Sequence, residues 1–304
     1  MSSRSEEGKE KEAIMGPARR NDDAQAARWN GPGGNAWVEL QPVLDEMFRP
    51  LETLLVDAVS AQKPGQVLDV GCGTGGVTLA LARRLGPASR CVGVDISGPL
   101  VTAARERAER EATPTSFVHA DAQDHAFEPA AFDAVVSRFG VMFFNDPVRA
   151  FANFRRASTD RARLRLVVWR GPAENPFMTT AERAAAPLVP GLPTRRPDEP
   201  GQFAFADTDR VRGILTDGGW AGIDLRPVDV ECVFPESALL RYLTRLGPVS
   251  QVLGELDEDR RKQVVETVRA AFDPFVEGEH VRFTAACWDV DARASSDARA
   301  RKFR

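Results

Sequence analysis

The stretch Val67–Gly76, reading VLDVGCGTGG, decides the fold of this chain. Val67 to Val70 read as a buried strand interrupted by one acid. The turn that follows carries Gly71, Gly73, Gly75 and Gly76, residues that accept positive φ and let a ligand approach the backbone closely. A helix from Val77 to Leu85 starts at once. Strand, glycine turn and helix in this order open a nucleotide-binding type of α/β unit. Asp69 separates it from a phosphate loop, because it stands two residues before the first glycine, at the carboxyl end of the strand. A carboxylate there repels a pyrophosphate and attracts an ammonium group.

Outward from this loop, strands and helices alternate. Strands are expected at Cys91–Asp95, Ser116–His119, Phe132–Ser137 and Leu164–Trp169, with helices at Gly98–Glu111 and Pro147–Arg156. Such alternation implies right-handed crossovers and helices on both faces of a parallel sheet. Ahead of the loop, residues 24–60 have helical periodicity broken at Gly31–Gly34. Beyond Trp169 the rhythm is interrupted by a proline-rich excursion, residues 171–207, with one helix near Met178–Ala186. A helix at Thr208–Asp217 and a strand at Gly222–Phe234 follow. A second excursion, residues 235–279, reads as two amphipathic helices before a last strand, Val281–Asp289. The fold expected is α/β and Rossmann-like: a doubly wound, mostly parallel seven-stranded sheet with N-terminal helices and a helical lid inserted before the last strand. Its last two strands form an antiparallel pair at one edge. Residues 1–23 have little to bury and are expected to be a disordered tail. Residues 24–304 form a single domain, with a ligand-binding core at 67–170 and the two excursions as lids over it.

Composition narrows the function. The chain has 304 residues and a formal net charge of −4, with basic and acidic residues interspersed, which disfavours a nucleic acid partner. No apolar run approaches the roughly 20 residues needed to span a bilayer, and no signal-peptide core is evident; a cytoplasmic protein is expected. Cys72, Cys91, Cys232 and Cys287 show neither disulfide nor zinc spacing, so reduced thiols and no metal site are expected.

Five segments together resemble class I S-adenosylmethionine-dependent methyltransferases, in particular the small-molecule branch similar to ubiquinone and menaquinone biosynthesis enzymes. They are VLDVGCGTGG, CVGVD ending at Asp95, HADAQ at residues 119–123, FDAVVSRFGVMFF at residues 132–144, and RWNGPGGNAWVELQ at residues 28–41. The resemblance spans about Trp29 to Phe234. It implies S-adenosyl-L-methionine as cofactor, its methionine part against Asp69, Gly71, Gly73 and Thr74, and its ribose on Asp95. Ile96, Asp121 and Ala122 would meet the adenine. Ser137 would border the cofactor, and Trp29 and Trp37 would cover it. The implied activity is methyl transfer by in-line displacement to a small, fairly apolar acceptor at carbon, nitrogen or oxygen, a reaction that needs alignment and exclusion of water more than an acid or base. Two departures stand out. Met142 occupies the turn position where quinone methyltransferases carry an arginine, and Ser158–Arg163 replaces the Pro-Gly-Gly turn before the fifth strand.

Among catalytic candidates, Arg138 lies at the carboxyl end of the fourth strand, where open sheets bind ligands; alternatively it is a salt bridge that orders the turn. His125 falls in the loop after the third strand and is the histidine best placed to act as a base, against a structural role shared with His119 and His280. Arg195 and Arg196 would bind an acidic acceptor or simply be solvated. Cys72 reads as a small packing side chain. Two other functions stay open: a cofactor-binding scaffold without turnover, and an NAD(P)-dependent oxidoreductase. The latter is disfavoured by the lack of a Tyr-x-x-x-Lys pair, since Tyr242 is the only tyrosine and Leu246 stands four positions on. No base-flipping Asn-Pro-Pro-Tyr signature is present. A homodimer is left open.

Overall fold

The computed structural model describes residues 25–193, 195–196 and 199–295; the expected N-terminal tail lies outside the described residues. After a helical segment at residues 25–30 come α1 (Pro32–Glu39), α2 (Gln41–Met47) and α3 (Arg49–Ser60). Each of these three starts with proline in its first turn, where the missing N–H is not needed. The core then runs β1 (Gln66–Val70), α4 (Gly76–Leu85), β2 (Arg90–Asp95), α5 (Gly98–Glu111), β3 (Thr115–His119), β4 (Phe132–Arg138), α6 (Pro147–Ala157) and β5 (Ser158–Trp169). The first excursion holds α7 (Pro176–Ala185) and leads through α8 (Thr208–Asp217) to β6 (Trp220–Pro235). The second holds α9 (Leu239–Arg245), α10 (Gly247–Val252) and α11 (Glu258–Ala271), followed by a short β7 (Val276–Glu277) and β8 (His280–Ala294).

The sheet order is β3-β2-β1-β4-β5-β8-β6, with β7 pairing on β8. Strands β1 to β5 are parallel to one another, and β8 is antiparallel to both β5 and β6. The doubly wound architecture and the antiparallel terminal pair are therefore as expected, with the two-residue β7 as an eighth strand. Val67, Leu68, Val70, Val135 and Val136 have no exposed surface, because helices cover both faces of the central strands.

Three local expectations are corrected. The Ser158–Arg163 segment is not a turn: α6 runs directly into β5, and Phe132 pairs with Ser158 while Ala134 pairs with Arg163, so the extra residues are absorbed as a bulge. Buried Arg155 fixes this junction by donating to the Ser158, Ser295 and Asp160 oxygens. The last strand extends to Ala294, since it pairs along β6 from Pro235↔His280 to Trp220↔Ala294. The second excursion has three α-helices rather than two, because Gly247 at φ +81 followed by Pro248 separates α9 from α10.

Candidate active site

Because β1 lies between β2 and β4, the crossovers on its two sides leave in opposite directions and a crevice opens at its carboxyl end. The glycine turn is pinned there by two backbone bonds to the Val94 carbonyl, from Gly71 N at 2.8 Å and Cys72 N at 3.1 Å. Gly71 has φ +66, and a Cβ on it would sit 2.6 Å from Cα of Gly140. A Cβ on Gly140 would sit 2.6 Å from the Val70 carbonyl oxygen, so two backbones cross where no side chain fits. Ser137 staples this crossing: its Oγ donates to Val70 O at 2.7 Å and accepts from Gly140 N at 3.2 Å. Ser137 is fully buried and does not line the cavity, so its observed role is to hold the turn rather than to touch a ligand. Gly73, at φ +56, has nothing within 4 Å of its Cβ position, leaving the backbone bare toward the cavity.

Asp95 closes the crevice at the end of β2. One carboxylate oxygen accepts from Gly73 N at 2.8 Å and the other from Ser97 N at 2.9 Å. Burial raises its pKa, and the two backbone donors oppose that rise.

Acids ring the start of α4. Asp69 is buried in β1 and accepts from Thr78 Oγ1 at 2.6 Å. Burial pushes its pKa up to about 6, against the pull of the Thr78 bond and the Arg138 charge. Above Gly76, a Cβ would meet Glu52 Oε2 at 3.0 Å and Asp45 Oδ1 at 3.4 Å. A helix N-terminus ordinarily attracts anions; here three carboxylates occupy its approach. Two arginines organise them. Arg107 pairs with Asp45 at 2.8 Å and donates to Thr74 O at 2.9 Å and Thr74 Oγ1 at 3.2 Å. Arg138 lies 3.8 Å from Glu52, donates to Phe48 O at 3.5 Å and stacks its charge over the Phe48 ring.

A cavity of about 590 Å³ spreads from this edge to the lids and brings together Trp29, Trp37, Gly71, Gly73, Asp95, Ile96, Asp121, Ala122 and Arg138. A compartment of about 50 Å³ next to it is lined by Asp69 and Thr74 and shares Trp37, Gly71, Gly73 and Arg138 with the larger space. The N-terminal segment is docked over both. Trp29 O accepts from Ser97 Oγ at 2.6 Å, and Asn30 both donates to Ile96 O at 2.9 Å and accepts from Gly98 N at 2.8 Å. The Trp29 ring meets Trp37 and Phe143 edge-on, at 6.2 and 5.3 Å between centroids. The far wall is apolar, built from Phe177, Met178, Phe203, Tyr242, Leu243 and Phe272 of the lids. Tyr242 packs on Phe177 and Phe234, and burial raises the pKa of its hydroxyl, so it does not serve as a ready base.

His125 is the one catalytic candidate the fold keeps away. It stands outside the cavity wall, its ring edge-on to Phe127 at 4.7 Å and its carbonyl accepting from Asn153 Nδ2 at 2.9 Å. His119 places Nε2 3.0 Å from Ile96 O, a structural contact. Burial drives the Cys72 thiol well above its usual pKa, as befits a packing residue. Among the described residues no group of His, Cys, Asp and Glu has the makings of a metal site. Sequence reading missed Asp45, Glu52, Arg107 and Gly140. A signal existed for the first two: Gln41, Asp45, Phe48 and Glu52 recur at helical spacing on one stripe of α2 and α3.

Fold and site together define an open α/β domain with a crevice at the carboxyl end of β1, where a glycine turn is ringed by buried carboxylates. In agreement, residues 67–160 match the family described as "Methyltransferase domain". The chain is 36% identical to nocamycin O-methyltransferase of Saccharothrix syringae over 147 residues, 48% of this chain and 51% of that protein. It is 33% identical to demethylmenaquinone methyltransferase of Thermus thermophilus over 122 residues, 40% of this chain and 55% of that one. The chain thus spans about half the length of the curated relatives it matches. The YcgJ protein of Bacillus subtilis shares the fold, with a TM-score of 0.54 at 17% identity over 81% of this chain and 98% of that one. No helix of the described residues is long and apolar enough to cross a membrane.

Proposed function

We propose that the protein is an S-adenosylmethionine-dependent methyltransferase acting on a small, largely apolar acceptor. The observation that carries this reading is the pairing of a phosphate-repelling, acid-ringed glycine loop with a ribose-type carboxylate, Asp95, across one crevice. The bare backbone at Gly73 and the two compartments fit the cofactor. The small one offers both a carboxylate, Asp69, and a guanidinium, Arg138, the complement of an amino-acid zwitterion. Arg138 is therefore assigned to the cofactor's carboxylate rather than to proton transfer. Asp95 would exchange its Gly73 bond for the ribose hydroxyls, with Ile96, Asp121 and Ala122 around the adenine and Trp29 and Trp37 as cover. When bound, the cofactor supplies a methyl group already activated on a sulfonium. What remains for this chain is to align the acceptor and keep water out, and the apolar lid wall suits both tasks. This also accounts for a cavity lined by no histidine.

Relatives named for demethylmenaquinone and nocamycin methylation support a small-molecule, quinone-like acceptor. Four free, buried cysteines suit a reducing cytoplasm. The test is calorimetric titration with S-adenosylhomocysteine together with mass spectrometry of an acceptor panel incubated with S-adenosylmethionine. Asp95→Ala should weaken S-adenosylhomocysteine binding by about tenfold to a hundredfold, the worth of one or two charge-assisted hydrogen bonds. Unchanged affinity overturns the assignment. Tight binding without methylated product from any acceptor would instead support a non-catalytic scaffold.

A further inference from the structure

The cavity wall carries charges at both ends. At the crevice end stand Asp95, Asp121 and Arg138, with Asp69 in the adjoining compartment. The proline-rich lid contributes Arg195 and Arg196 with Glu182 and Glu199, and the N-terminal segment contributes Arg28. The acids at the lid end are already taken. Arg195 Nε donates to both Glu182 oxygens, at 2.9 and 2.8 Å, and its Nη1 donates to Gln202 at 2.7 Å. Arg196 pairs with Glu199 at 3.0 Å. Arg195 also lies over the Phe203 ring at 4.9 Å, which holds it against the wall. Arg28 is different. It lies on the N-terminal segment, 6.0 Å from the Trp29 ring centroid, and lines the cavity with no carboxylate partner among the described residues. Arg28 and Arg195 line the same cavity, and desolvation by burial, followed by the Arg195 charge, lowers the pKa of Arg28. Arg195 and Arg196 are balanced by their glutamates, so Arg28 is left as a cation of the cavity wall that no carboxylate among the described residues balances, and an anion would neutralise it.

We propose that the acceptor carries an anionic group, a carboxylate in the simplest case, which Arg28 captures with support from Arg195 while the apolar body of the acceptor lies along the aromatic lid wall. The inference rests on the methyl-transfer reading and adds to it the class of acceptor. Arg28 and Arg195 belong to segments separated by the whole of the core in sequence, the N-terminal cover and the proline-rich lid. An anion between them ties the two covers together over the cofactor, so acceptor recognition and closure coincide. Guanidinium is suited to this task because its planar fork matches a carboxylate.

The test uses a matched pair of probes, 2-naphthoic acid and its neutral methyl ester, titrated by tryptophan fluorescence against the full chain saturated with S-adenosylhomocysteine. The acid should bind at least tenfold more tightly than the ester. Arg28→Gln should cut that preference to threefold or less, Arg28→Lys should restore part of it, and S-adenosylhomocysteine affinity should be unchanged in both variants. Equal or tighter binding of the ester by the unaltered protein, or an acid preference that survives Arg28→Gln, overturns the proposal. Loss of S-adenosylhomocysteine binding by the unaltered protein would be a failure of the underlying methyl-transfer reading, and is recorded separately by the same titration.

Discussion

The crevice end and the lid end of the cavity are made from different materials. At the crevice, position is set by backbone: two bonds to Val94 O, the Gly71–Gly140 crossing, and carboxylates fixed by N–H donors. At the lid, position is set by packing, with Phe177 stacked on Phe283 at 3.9 Å and edge-on to Phe272 and Phe275. Backbone geometry tolerates few substitutions, whereas apolar packing tolerates exchange of one large side chain for another. On the proposed methyl-transfer reading, a fixed cofactor end joined to an adaptable acceptor end would let one chemistry serve different acceptors.

The strongest way to break the contrast is Gly140→Ala. Its Cβ would meet the Val70 carbonyl oxygen at 2.6 Å and the Cα of Gly71 at 2.7 Å, both rigid backbone. Stability should fall by about 1–3 kcal/mol in chemical denaturation, and cofactor affinity should fall with it; a midpoint like that of the unaltered protein would mean that the crossing is not close.

Asp69 sharpens the comparison, because its burial opposes its function. Its folded pKa of about 6 lies above the ordinary 3.8, so between these values the folded state holds the extra proton. Stability from this group is therefore present at low pH and is lost as pH rises through 6. Asp69→Asn should raise the stability of the unliganded protein at pH 7 by up to about 2 kcal/mol, measured by denaturation, and should flatten that pH dependence. Cofactor binding should respond the other way, weakening in the unaltered protein as pH falls from 7 to 5 and the carboxylate loses its charge. A variant no more stable than the unaltered protein at pH 7 would place Asp69 in a more polar setting.

Trp29→Ala probes the cover, whose ring contacts are edge-on to Trp37 and Phe143. Loss of one such aromatic wall should cost about tenfold in S-adenosylhomocysteine affinity, read by calorimetry, with little change in the denaturation midpoint. The smallest effect is expected from His125→Ala, whose ring touches Phe127 outside the cavity. Turnover within about twofold of the unaltered enzyme is expected, and a loss of a hundredfold would return it to the list of bases.

The crevice end was legible in the sequence because its requirements are local. Asp69, Gly71, Gly73 and Asp95 lie on one βαβ unit, and each is demanded by a turn, a close approach or a charge. Asp45, Glu52 and Arg107 were not read, since their meaning depends on how α2, α3 and α5 dock on the glycine loop. Ser137 and His125 show the opposite error. Ser137 lies at the carboxyl end of central β4 and His125 in the loop after edge strand β3, but the pleat turns Ser137 into the core and that loop turns His125 away. The lids were legible as apolar excursions with helices and with Arg195 and Arg196 open to two readings; the third helix of the second excursion and the pairing of Arg195 with Glu182 depend on contacts between segments.

The central claim is that the acids at the glycine loop select a cofactor with a cationic end over one with a phosphate. Its most direct test is parallel calorimetric titration of the full chain at pH 7.5 with S-adenosylmethionine and with NADPH, repeated on Asp69→Ala. Saturable binding of S-adenosylmethionine, weakened at least about tenfold by the substitution, and no binding of NADPH is the expected result. Firm NADPH binding with indifference to S-adenosylmethionine would contradict it.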